Sequence, residues 1–358
     1  MIKKRIAVIF GGMSSEHEVS LMSAASVLGN FPTEKYEAVP IGITKDGRWL
    51  FFPGNYSDIP GGEWENNPGC VSAVISPDRS AGGLLMTSPD GRSYTRSVDA
   101  IFPVLHGKFG EDGTIQGLSA LAGIPCVGAG VLSSAVCMDK EIANLLFDIS
   151  GIPHARWRVI HSRDIDLIDE YTGEWEQNIG YPMFVKPANS GSSVGVSKAR
   201  DRDSLKHAVE LAFKHDNKVI VEKAILGKEL ECAVLGNDSP FASCASEILP
   251  VNDFYDYDAK YLTPSKTVLP ADIHPDLSEK LQNTAVKAYR LLDCSGMARV
   301  DFLYETASDT LYINEINTIP GFTAISMYAK MMDASGISYP VLVEKLIELA
   351  IEKSTGRY

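Results

Sequence analysis

Residues 184–198 read FVKPANSGSSVGVSK, in which a loop of Asn, Ser and Gly separates two short apolar stretches. Lys186 lies at the end of the first stretch, and Val194 begins the second. Two interpretations of this pattern are open. It is typical of a hairpin with an exposed lysine, and also of a loop whose N–H and hydroxyl groups bind phosphate oxygens while the lysine neutralises them. The pattern GxxxxGK[ST] occurs nowhere in the chain, which excludes a P-loop protein.

The size and charge of the chain narrow its class. Its 358 residues predict two or three domains, and its composition of 45% hydrophobic and 22% charged residues is typical of a globular protein. A net charge of -13 argues against nucleic-acid binding. The apolar run after MIKKR is too short for a signal peptide, and no run approaches the roughly 20 apolar residues of a membrane span. We expect a cytoplasmic protein with reduced thiols, mostly in the core, at Cys70, Cys126, Cys137, Cys232, Cys244 and Cys294.

The first third of the chain has the pattern of an α/β domain. Residues 4–10 form an apolar run typical of a buried parallel strand, and a glycine turn and a helix over 16–28 follow it. A later strand of the same kind ends at His106. Residues 46–96 are rich in Gly, Pro, Asn and Ser, which indicates short hairpins at the edge of the domain. We place the first domain boundary near residue 132.

The rest of the chain has a different pattern. From about residue 155 it alternates strands and hairpins, with one helix over 202–214, which predicts a mostly antiparallel α+β unit. The polar, aromatic-dotted segment 252–273 is too long for an ordinary connection, and loops of that length often act as lids. A last helix is predicted over 338–353.

Two apolar strands near the end of the chain carry oxygen ligands. Asp301 lies in ARVDFLY, and Glu315 and Asn317 lie in LYINEIN, where alternation puts both on one face. If the two strands pair, Asp301 joins them in an all-oxygen site that suits Mg²⁺. The alternative is an acidic strand pair facing solvent. Because both strands are otherwise apolar, we favour the metal site.

Other motifs are ambiguous by themselves. Lys186 and Lys223 each follow an apolar strand and Lys140 begins a helix, but a lone lysine is usually a surface residue. GAGVLS at 128–133 lacks the last glycine of GxGxxG, and EHEVSL has Leu21 in place of the second histidine of HExxH. HGKFGEDGTIQG at 106–117 predicts either a glycine-rich turn before a capped helix or a helix N-terminus and imidazole that face a carboxylate ligand.

Taken together, EHEVSL, HGKFGEDGTIQG, FVKPANSGSSVGVSK and EINTIPGFTAISM resemble the D-alanine:D-alanine ligase family of ATP-grasp enzymes, in family order over almost the whole chain. The resemblance implies an α/β and α+β fold of three domains. These are a parallel-sheet N-terminal domain (1–132) that binds the first D-alanine, a central domain (133–229), and a C-terminal domain (230–358) with the lid 252–273. The last two sandwich ATP. The implied reaction phosphorylates one D-alanine carboxylate, and the amine of a second D-alanine then attacks the acyl phosphate.

The resemblance also implies residue roles and cofactors. ATP acts with two Mg²⁺ or Mn²⁺ ions in a cytoplasmic homodimer without nucleic-acid or membrane partners. The catalytic residues are Glu16, which binds the first substrate's ammonium, Ser192 and Tyr261, which join Glu16 in a hydrogen-bonded set, and Arg299 and Gly321, which stabilise the oxyanion. The substrate-binding residues are His106, near the first carboxylate, and Ser326 and Met327, at the second. ATP contacts Lys140, Lys186 and Lys260 through its phosphates and Glu222, Lys223 and Glu229 through adenine and ribose, and the metal ligands are Asp301, Glu315 and Asn317.

The alternative functions differ from this one at only a few sequence positions. A sister ligase that makes D-alanyl-D-lactate or D-alanyl-D-serine would carry nearly the same motifs and differ in the lid and the second-substrate pocket. A lactate-using relative has histidine in the part of the lid where Tyr261 lies here, and tyrosine is neutral at pH 7. EHEVS and HGKFGEDG argue against an unrelated ATP-grasp ligase. A catalytically silent binding protein is disfavoured because every lysine and carboxylate that the chemistry needs is present.

Overall fold

The computed structural model describes residues 3–191, 194–249 and 266–355, which form three sheets flanked by helices. The first sheet, in the order β6-β5-β4-β3-β2-β1-β7, comprises β1 (Lys4–Gly11), β2 (Tyr36–Ile43), β3 (Trp49–Phe51), β4 (Val71–Ile75), β5 (Gly83–Thr87), β6 (Ser93–Ser97) and β7 (Ala100–Val104). The second, β10-β9-β11-β8, comprises β8 (Trp157–His161), β9 (Met183–Pro187), β10 (Ser197–Ala199) and β11 (Lys218–Lys223). The third, β14-β13-β12-β15-β16, comprises β12 (Lys228–Gly236), β13 (Phe241–Leu249), β14 (Lys266–Val268), β15 (Gly296–Glu305) and β16 (Thr310–Asn317).

The helices of the described residues pack on these sheets. They are α1 (His17–Gly29), α2 (Thr114–Ala122), α3 (Val131–Met138), α4 (Lys140–Ser150), α5 (Ile168–Asn178), α6 (Arg202–Ala212), α7 (Pro275–Leu291), α8 (Met327–Ala334) and α9 (Tyr339–Thr355). None of the helices within the described ranges is both long and apolar enough to cross a membrane.

The first sheet is mixed, which corrects the expectation of a parallel sheet. Only β2, β1 and β7 run parallel, and the pairs from β2 through β6 are antiparallel. The predicted hairpins of the 46–96 segment are therefore part of the same sheet, because their short connections allow only antiparallel pairing. Because β1 and β7 are parallel, their C-terminal ends lie at the same edge of the sheet. There Gly11 and Gly12, with φ of +85° and +94°, turn the chain into α1.

The N-terminal sheet and the C-terminal helices share one hydrophobic core. Phe10 and Phe102 of the sheet belong to the same buried cluster as Phe322, Leu346 and Ile347. The rings of Phe102 and Phe322 meet edge to face with centroids 6.1 Å apart. Aromatic pairs of this kind stabilise beyond the area they bury. The two ends of the chain are therefore packed into a single body at the level of β1, β7 and α9.

The α/β and α+β class and the three-part architecture are confirmed, and most predicted elements are present within a few residues of their expected ends. Strand β13 and the helices α3, α5 and α8 were not predicted. The boundary expected near residue 132 falls inside α3. Most of the proposed lid lies outside the described residues, and β14 forms part of its C-terminal end.

Candidate active site

A cavity of about 250 Å³ lies between the loops that follow β1 and β7 and the face of the third sheet. One wall comes from the N-terminal part of the chain and the other from the C-terminal part. Eight predicted site residues line the cavity: Glu16, His106, Arg299, Glu315, Asn317, Gly321, Ser326 and Met327.

The C-terminal wall is a sheet face with paired charges. Glu231, Asp301 and Glu315 occupy one cross-strand row on β12, β15 and β16, so the predicted pairing of the last two strands is confirmed. Arg299 donates from Nε and Nη2 to the two Asp301 oxygens at 2.6 and 2.7 Å, and its Nε lies 3.1 Å from Glu231 Oε1. Burial opposes the charge of Arg299, but Asp301 and Glu231 raise its pKa well above the ordinary value. The guanidinium is thus charged and fixed at the cavity wall.

The predicted metal ligands come together on this wall. Asp301 and Glu315 are direct cross-strand partners, and Asn317 Nδ2 donates to Asp301 Oδ2 at 3.0 Å. Two carboxylates and an amide oxygen form a hard donor set that fits Mg²⁺ or Mn²⁺. No cluster of three His, Cys, Asp or Glu side chains with metal-ligand geometry exists among the residues that the structure describes, so the set depends on Asn317 as its third member.

The lysines predicted to bind phosphate are ordered by specific partners. Lys186, only 15% exposed, pairs with Glu222 at 2.6 Å and donates to Asn314 Oδ1 at 3.4 Å. Burial alone would lower the pKa of Lys186, but Glu222 raises it above its usual range. Lys140 Nζ donates to the carbonyl of Ser190 at 2.8 Å and lies 3.7 Å from Glu315 Oε2. A hairpin with a freely exposed lysine does not describe this arrangement.

The residues predicted to contact adenine and ribose lie near the ends of two interior strands, one in the second sheet and one in the third. Lys223 ends β11 and donates to the carbonyls of Gly180 and Tyr181 at 3.2 and 3.1 Å. Glu222 precedes it and also accepts from Asn144 of α4 at 3.4 Å. Glu229 lies near the start of β12.

The N-terminal wall approaches the loop quoted at the outset. Glu16 is buried just before α1, and a Cβ atom placed on Gly191 would lie 2.9 Å from Glu16 Oε2. Any side chain at position 191 would therefore displace the Glu16 carboxylate from its present position. The next residue, Ser192, lies outside the described residues, as do Lys260 and Tyr261. The predicted hydrogen-bonded set with Glu16 stays a prediction.

His106 and Glu111 bind the backbone of the opposite wall. His106 Nδ1 lies 3.1 Å from the carbonyl oxygen of Ile319, and its Nε2 lies 2.9 Å from Ser23 Oγ. Glu111 accepts from the N–H groups of Gly107 and Ile319 at 2.8 and 3.2 Å. Burial lowers the pKa of His106, and burial together with the Glu16 carboxylate raises the pKa of Glu111 to about 8.

The segment after β16 closes the cavity. Gly321 precedes the buried Phe322, and Ser326 Oγ accepts from Thr323 N at 3.1 Å at the start of α8. Met327 is the first residue of that helix. Gly321 and Ser326 thus belong to one tight turn that faces Arg299 across the cavity.

Several lining residues were missed by the sequence reasoning. Glu231 stands on the otherwise apolar β12, and the alternation of Glu229 and Glu231 was a signal that could have identified it. Lys330, exposed on α8, also lines the cavity. Ser23 gave no signal, because a serine in the first half of an apolar helix has no distinctive spacing. Its partners are 83 and 299 residues away in sequence.

Comparisons with known proteins agree on one family. The family model described as D-ala D-ala ligase N-terminus matches residues 5–129, and the one described as D-ala D-ala ligase C-terminus matches 146–348. A D-alanine–D-alanine ligase from Acetivibrio thermocellus is 50% identical over 365 residues, which cover 98% of this chain and 96% of that protein. The solved structure of the VanG D-Ala:D-Ser ligase from Enterococcus faecalis has a TM-score of 0.88 at 42% identity and covers 98% of this chain and 100% of its own. The D-alanine–D-alanine ligase from Coxiella burnetii has a TM-score of 0.85 at 35% identity, with coverages of 99% and 95%.

Proposed function

The chain belongs to the D-alanine–D-alanine ligase family, and we infer from this that it joins two molecules of D-alanine into D-alanyl-D-alanine while converting ATP to ADP and phosphate. It is then an ADP-forming carbon–nitrogen ligase of peptidoglycan precursor synthesis. The observation that carries the inference is the cavity between the two segments that the family models match. Glu16 comes from the first segment, and Arg299 and Glu315 come from the second.

We propose the following roles in the reaction. Glu16 binds the ammonium of the first D-alanine, whose carboxylate lies near His106. This carboxylate takes the γ-phosphoryl group of ATP to give D-alanyl phosphate. The amine of the second D-alanine, once deprotonated, attacks the acyl carbon, and phosphate leaves. Arg299 and the Gly321 N–H stabilise the oxyanion that forms, because a fixed charge in a water-poor cavity acts more strongly than in bulk water.

The second substrate meets the turn before α8. We propose that Ser326 and the N-terminal end of α8 at Met327 bind its carboxylate, as helix N-termini favour anions. Ser326 and Arg299 line the same cavity, which supports this assignment.

ATP fits between the second and third sheets in this proposal. Lys140, Lys186 and Lys260 bind its phosphates, and Glu222, Lys223 and Glu229 contact adenine and ribose. The ordered positions of Lys140 and Lys186, both directed between the sheets toward β16, support the first part. Asp301, Glu315 and Asn317 would bind Mg²⁺ or Mn²⁺, two ions in all. Such ions, when bound, neutralise charge that develops on the transferring phosphoryl group.

The lid, the domains and the assembly are also proposals. Ser192 and Tyr261 connect the lid 252–273 to Glu16, so that closure excludes water from D-alanyl phosphate. The domains 1–132 and 133–229 contain the first and second sheets, and 230–358 contains the third apart from the first two residues of β12. The protein acts in the cytoplasm, where its substrates and ATP occur together.

An apolar helix face supports the proposed homodimer. Ile142, Leu145 and Ile149 lie at helical spacing on α4 and are 38%, 42% and 82% exposed. Leu132 on the adjoining α3 is 64% exposed. Exposed apolar faces of this kind commonly become subunit interfaces. Ile149→Glu should then give a monomer in sedimentation experiments, whereas an unchanged mass would remove this face from consideration.

A second candidate acceptor is D-serine, which the likeness to the VanG D-Ala:D-Ser ligase favours. D-Serine keeps the amine and adds one hydroxyl, which a pocket rejects only weakly. The test measures ADP release and identifies the products with D-alanine, D-serine and D-lactate competing at equal concentrations over several pH values. We expect mainly D-alanyl-D-alanine and little D-alanyl-D-lactate. Predominant D-alanyl-D-serine would reassign the acceptor, and no ADP release with any of them would contradict a ligase.

A further inference from the structure

Ser23, His106 and Glu111 together bind the backbone that surrounds Gly321. They lie in the N-terminal part of the chain, and the segment they bind, residues 319–322, follows β16 near the end of the chain. We propose that these three residues form a backbone clamp that positions the Gly321 N–H for the oxyanion. The proposal rests on the role given to Gly321 in the proposed function.

The hydrogen bonds of the clamp are mutually consistent. The carbonyl of Ile319 can only accept, so His106 Nδ1 carries the proton and donates to it. His106 Nε2 therefore accepts, and the Ser23 hydroxyl donates to it at 2.9 Å. The Ser23 oxygen in turn accepts the N–H of Phe322 at 3.3 Å. Every polar atom of the relay has one partner of the correct kind.

Glu111 completes the clamp by binding the N–H of Ile319, the residue whose carbonyl accepts from His106. Its Oε1 accepts the Ile319 N–H at 3.2 Å, while Oε2 accepts the Gly107 N–H at 2.8 Å. The N–H and the carbonyl of Ile319 are thus both bound by N-terminal side chains. Phe322 is bound on the far side of Gly321 through Ser23, and Tyr339 Oη donates to the Phe322 carbonyl at 2.7 Å.

The geometry assigns these side chains to positioning and not to direct contact with the oxyanion. Both ring nitrogens of His106 and both oxygens of Glu111 are used by the protein. Gly321 itself lies between the two bound residues and lines the cavity. A donor that is held in place before the reaction costs no reorganisation when charge develops, and a supporting set of hydrogen bonds provides that order.

The test uses Ser23→Ala and Glu111→Gln in the full chain. Alanine removes the relay at its start. The assays are run above pH 8, where the Glu111 carboxylate is ionised, and there glutamine can accept only one of the two N–H groups that the two carboxylate oxygens accept. The matched control is Tyr289→Phe, which removes a buried hydrogen bond of 2.7 Å to the Gly236 carbonyl, away from the cavity. Thermal unfolding measurements identify the variants that fold. Ser23→Ala tests the relay, and Glu111→Gln tests the other part of the clamp.

We expect kcat to fall about tenfold or more in both clamp variants, with KM for ATP within about twofold of the parent. Affinity for a phosphinate analogue of the tetrahedral intermediate should fall by the same factor as kcat/KM, while affinity for D-alanine stays constant. Tyr289→Phe should lower the melting temperature and leave kcat unchanged. Amide hydrogen exchange in a peptide covering 316–323 should become faster only in the clamp variants.

The outcomes separate this proposal from the proposed function. Unchanged kcat in both folded clamp variants, or an equal loss of affinity for analogue and D-alanine, would overturn the clamp while the ligase assignment stands. Absence of ligase activity in the parent protein would refute the proposed function instead. In that case the exchange rates of 316–323 would still report whether the three side chains order this backbone.

Discussion

The two walls of the cavity are stabilised in opposite ways. On the C-terminal wall, opposite charges form ion pairs: Arg299 lies between the carboxylates of Asp301 and Glu231. On the N-terminal wall, a neutral imidazole and a largely buried acid, His106 and Glu111, bind backbone groups. The first wall suits the metal ions and phosphate of the proposed reaction, because its charged groups can interact with both. The second wall is built to keep a loop in place.

This difference has an energetic reason. Paired charged side chains that line the cavity can exchange partners when a metal ion or a phosphate enters, because the competing interactions are of similar strength. Hydrogen bonds between buried side chains and backbone have no such competitors, and leaving one unpaired is costly. A reactive wall therefore lies opposite a rigid one.

The largest effect is expected on the charged wall. Asp301→Asn should lower kcat by roughly 10³-fold or more, because the substitution weakens metal binding and removes the main partner of Arg299. The fold should be retained, as judged by circular dichroism and melting temperature. Asp309→Asn, an exposed position in the β15–β16 turn, is the control and should keep full activity. Near-normal ADP release by Asp301→Asn at millimolar Mg²⁺ would end the metal assignment.

A smaller effect is expected where the charged wall meets the second sheet. Lys186→Met should reduce kcat/KM for ATP by about 10- to 100-fold, because one positive charge near the phosphates is lost. It should also destabilise the protein by about 3 kcal/mol, because Glu222 loses its partner in a buried pair. The sequence alone would have predicted little change in stability.

Two further variants check this explanation by urea unfolding and ATP titration. Lys186→Met combined with Glu222→Gln should regain most of the stability without regaining ATP affinity. Lys214→Met, an exposed position, should change neither. A single Lys186→Met variant with the parental KM and kcat would show that the lysine does not contact ATP.

The smallest effect concerns the pH dependence of the rigid wall. The pKa of Glu111 is raised to about 8, by burial first and then by Glu16, while Arg299 and the two backbone donors oppose the shift. The stability that this acid contributes is complete below its unfolded pKa near 4.5 and is lost as the pH rises toward 8. Within that window the unfolding free energy of the parent should fall with rising pH relative to that of Glu111→Gln, by less than about 1.4 kcal/mol per pH unit.

Chemical denaturation at half-unit pH steps measures this difference, with the exposed Glu34→Gln as control. A difference between parent and Glu111→Gln that does not vary from pH 5 to pH 8 would contradict the raised pKa. Glu16 and His106 face the same pocket, so the double variant with Glu16→Gln tests whether their charges set the slope.

Most of the charged wall could be predicted from the sequence, apart from Glu231, whereas His106 was the only member of the rigid wall whose role was predicted. Asp301, Glu315 and Asn317 stand out because polar residues interrupt strands that are otherwise apolar, and alternation fixes their face. Ser23 and Glu111 act through backbone groups about 200 to 300 residues away, and backbone partners leave no mark on the sequence.

The secondary-structure elements that the sequence did not predict have weak local patterns. Helix α5 contains Gly173 and buries only Thr172 and Trp175, so its apolar periodicity is weak. Strand β13, FASCASEIL, buries small and polar residues, which do not produce the usual hydrophobic alternation. Tertiary packing stabilises the helix and the strand, because their local sequence preference is weak.

The core that β1 and β7 share with α9 has a consequence for synthesis on the ribosome. Leu346 and Ile347, which cover one face of the first sheet, are translated more than 200 residues after β7. The nascent N-terminal sheet therefore keeps that apolar face uncovered until α9 is synthesised, and during this interval it is a natural substrate for chaperones. A protein truncated before α9 should bind them persistently, since the covering helix never arrives.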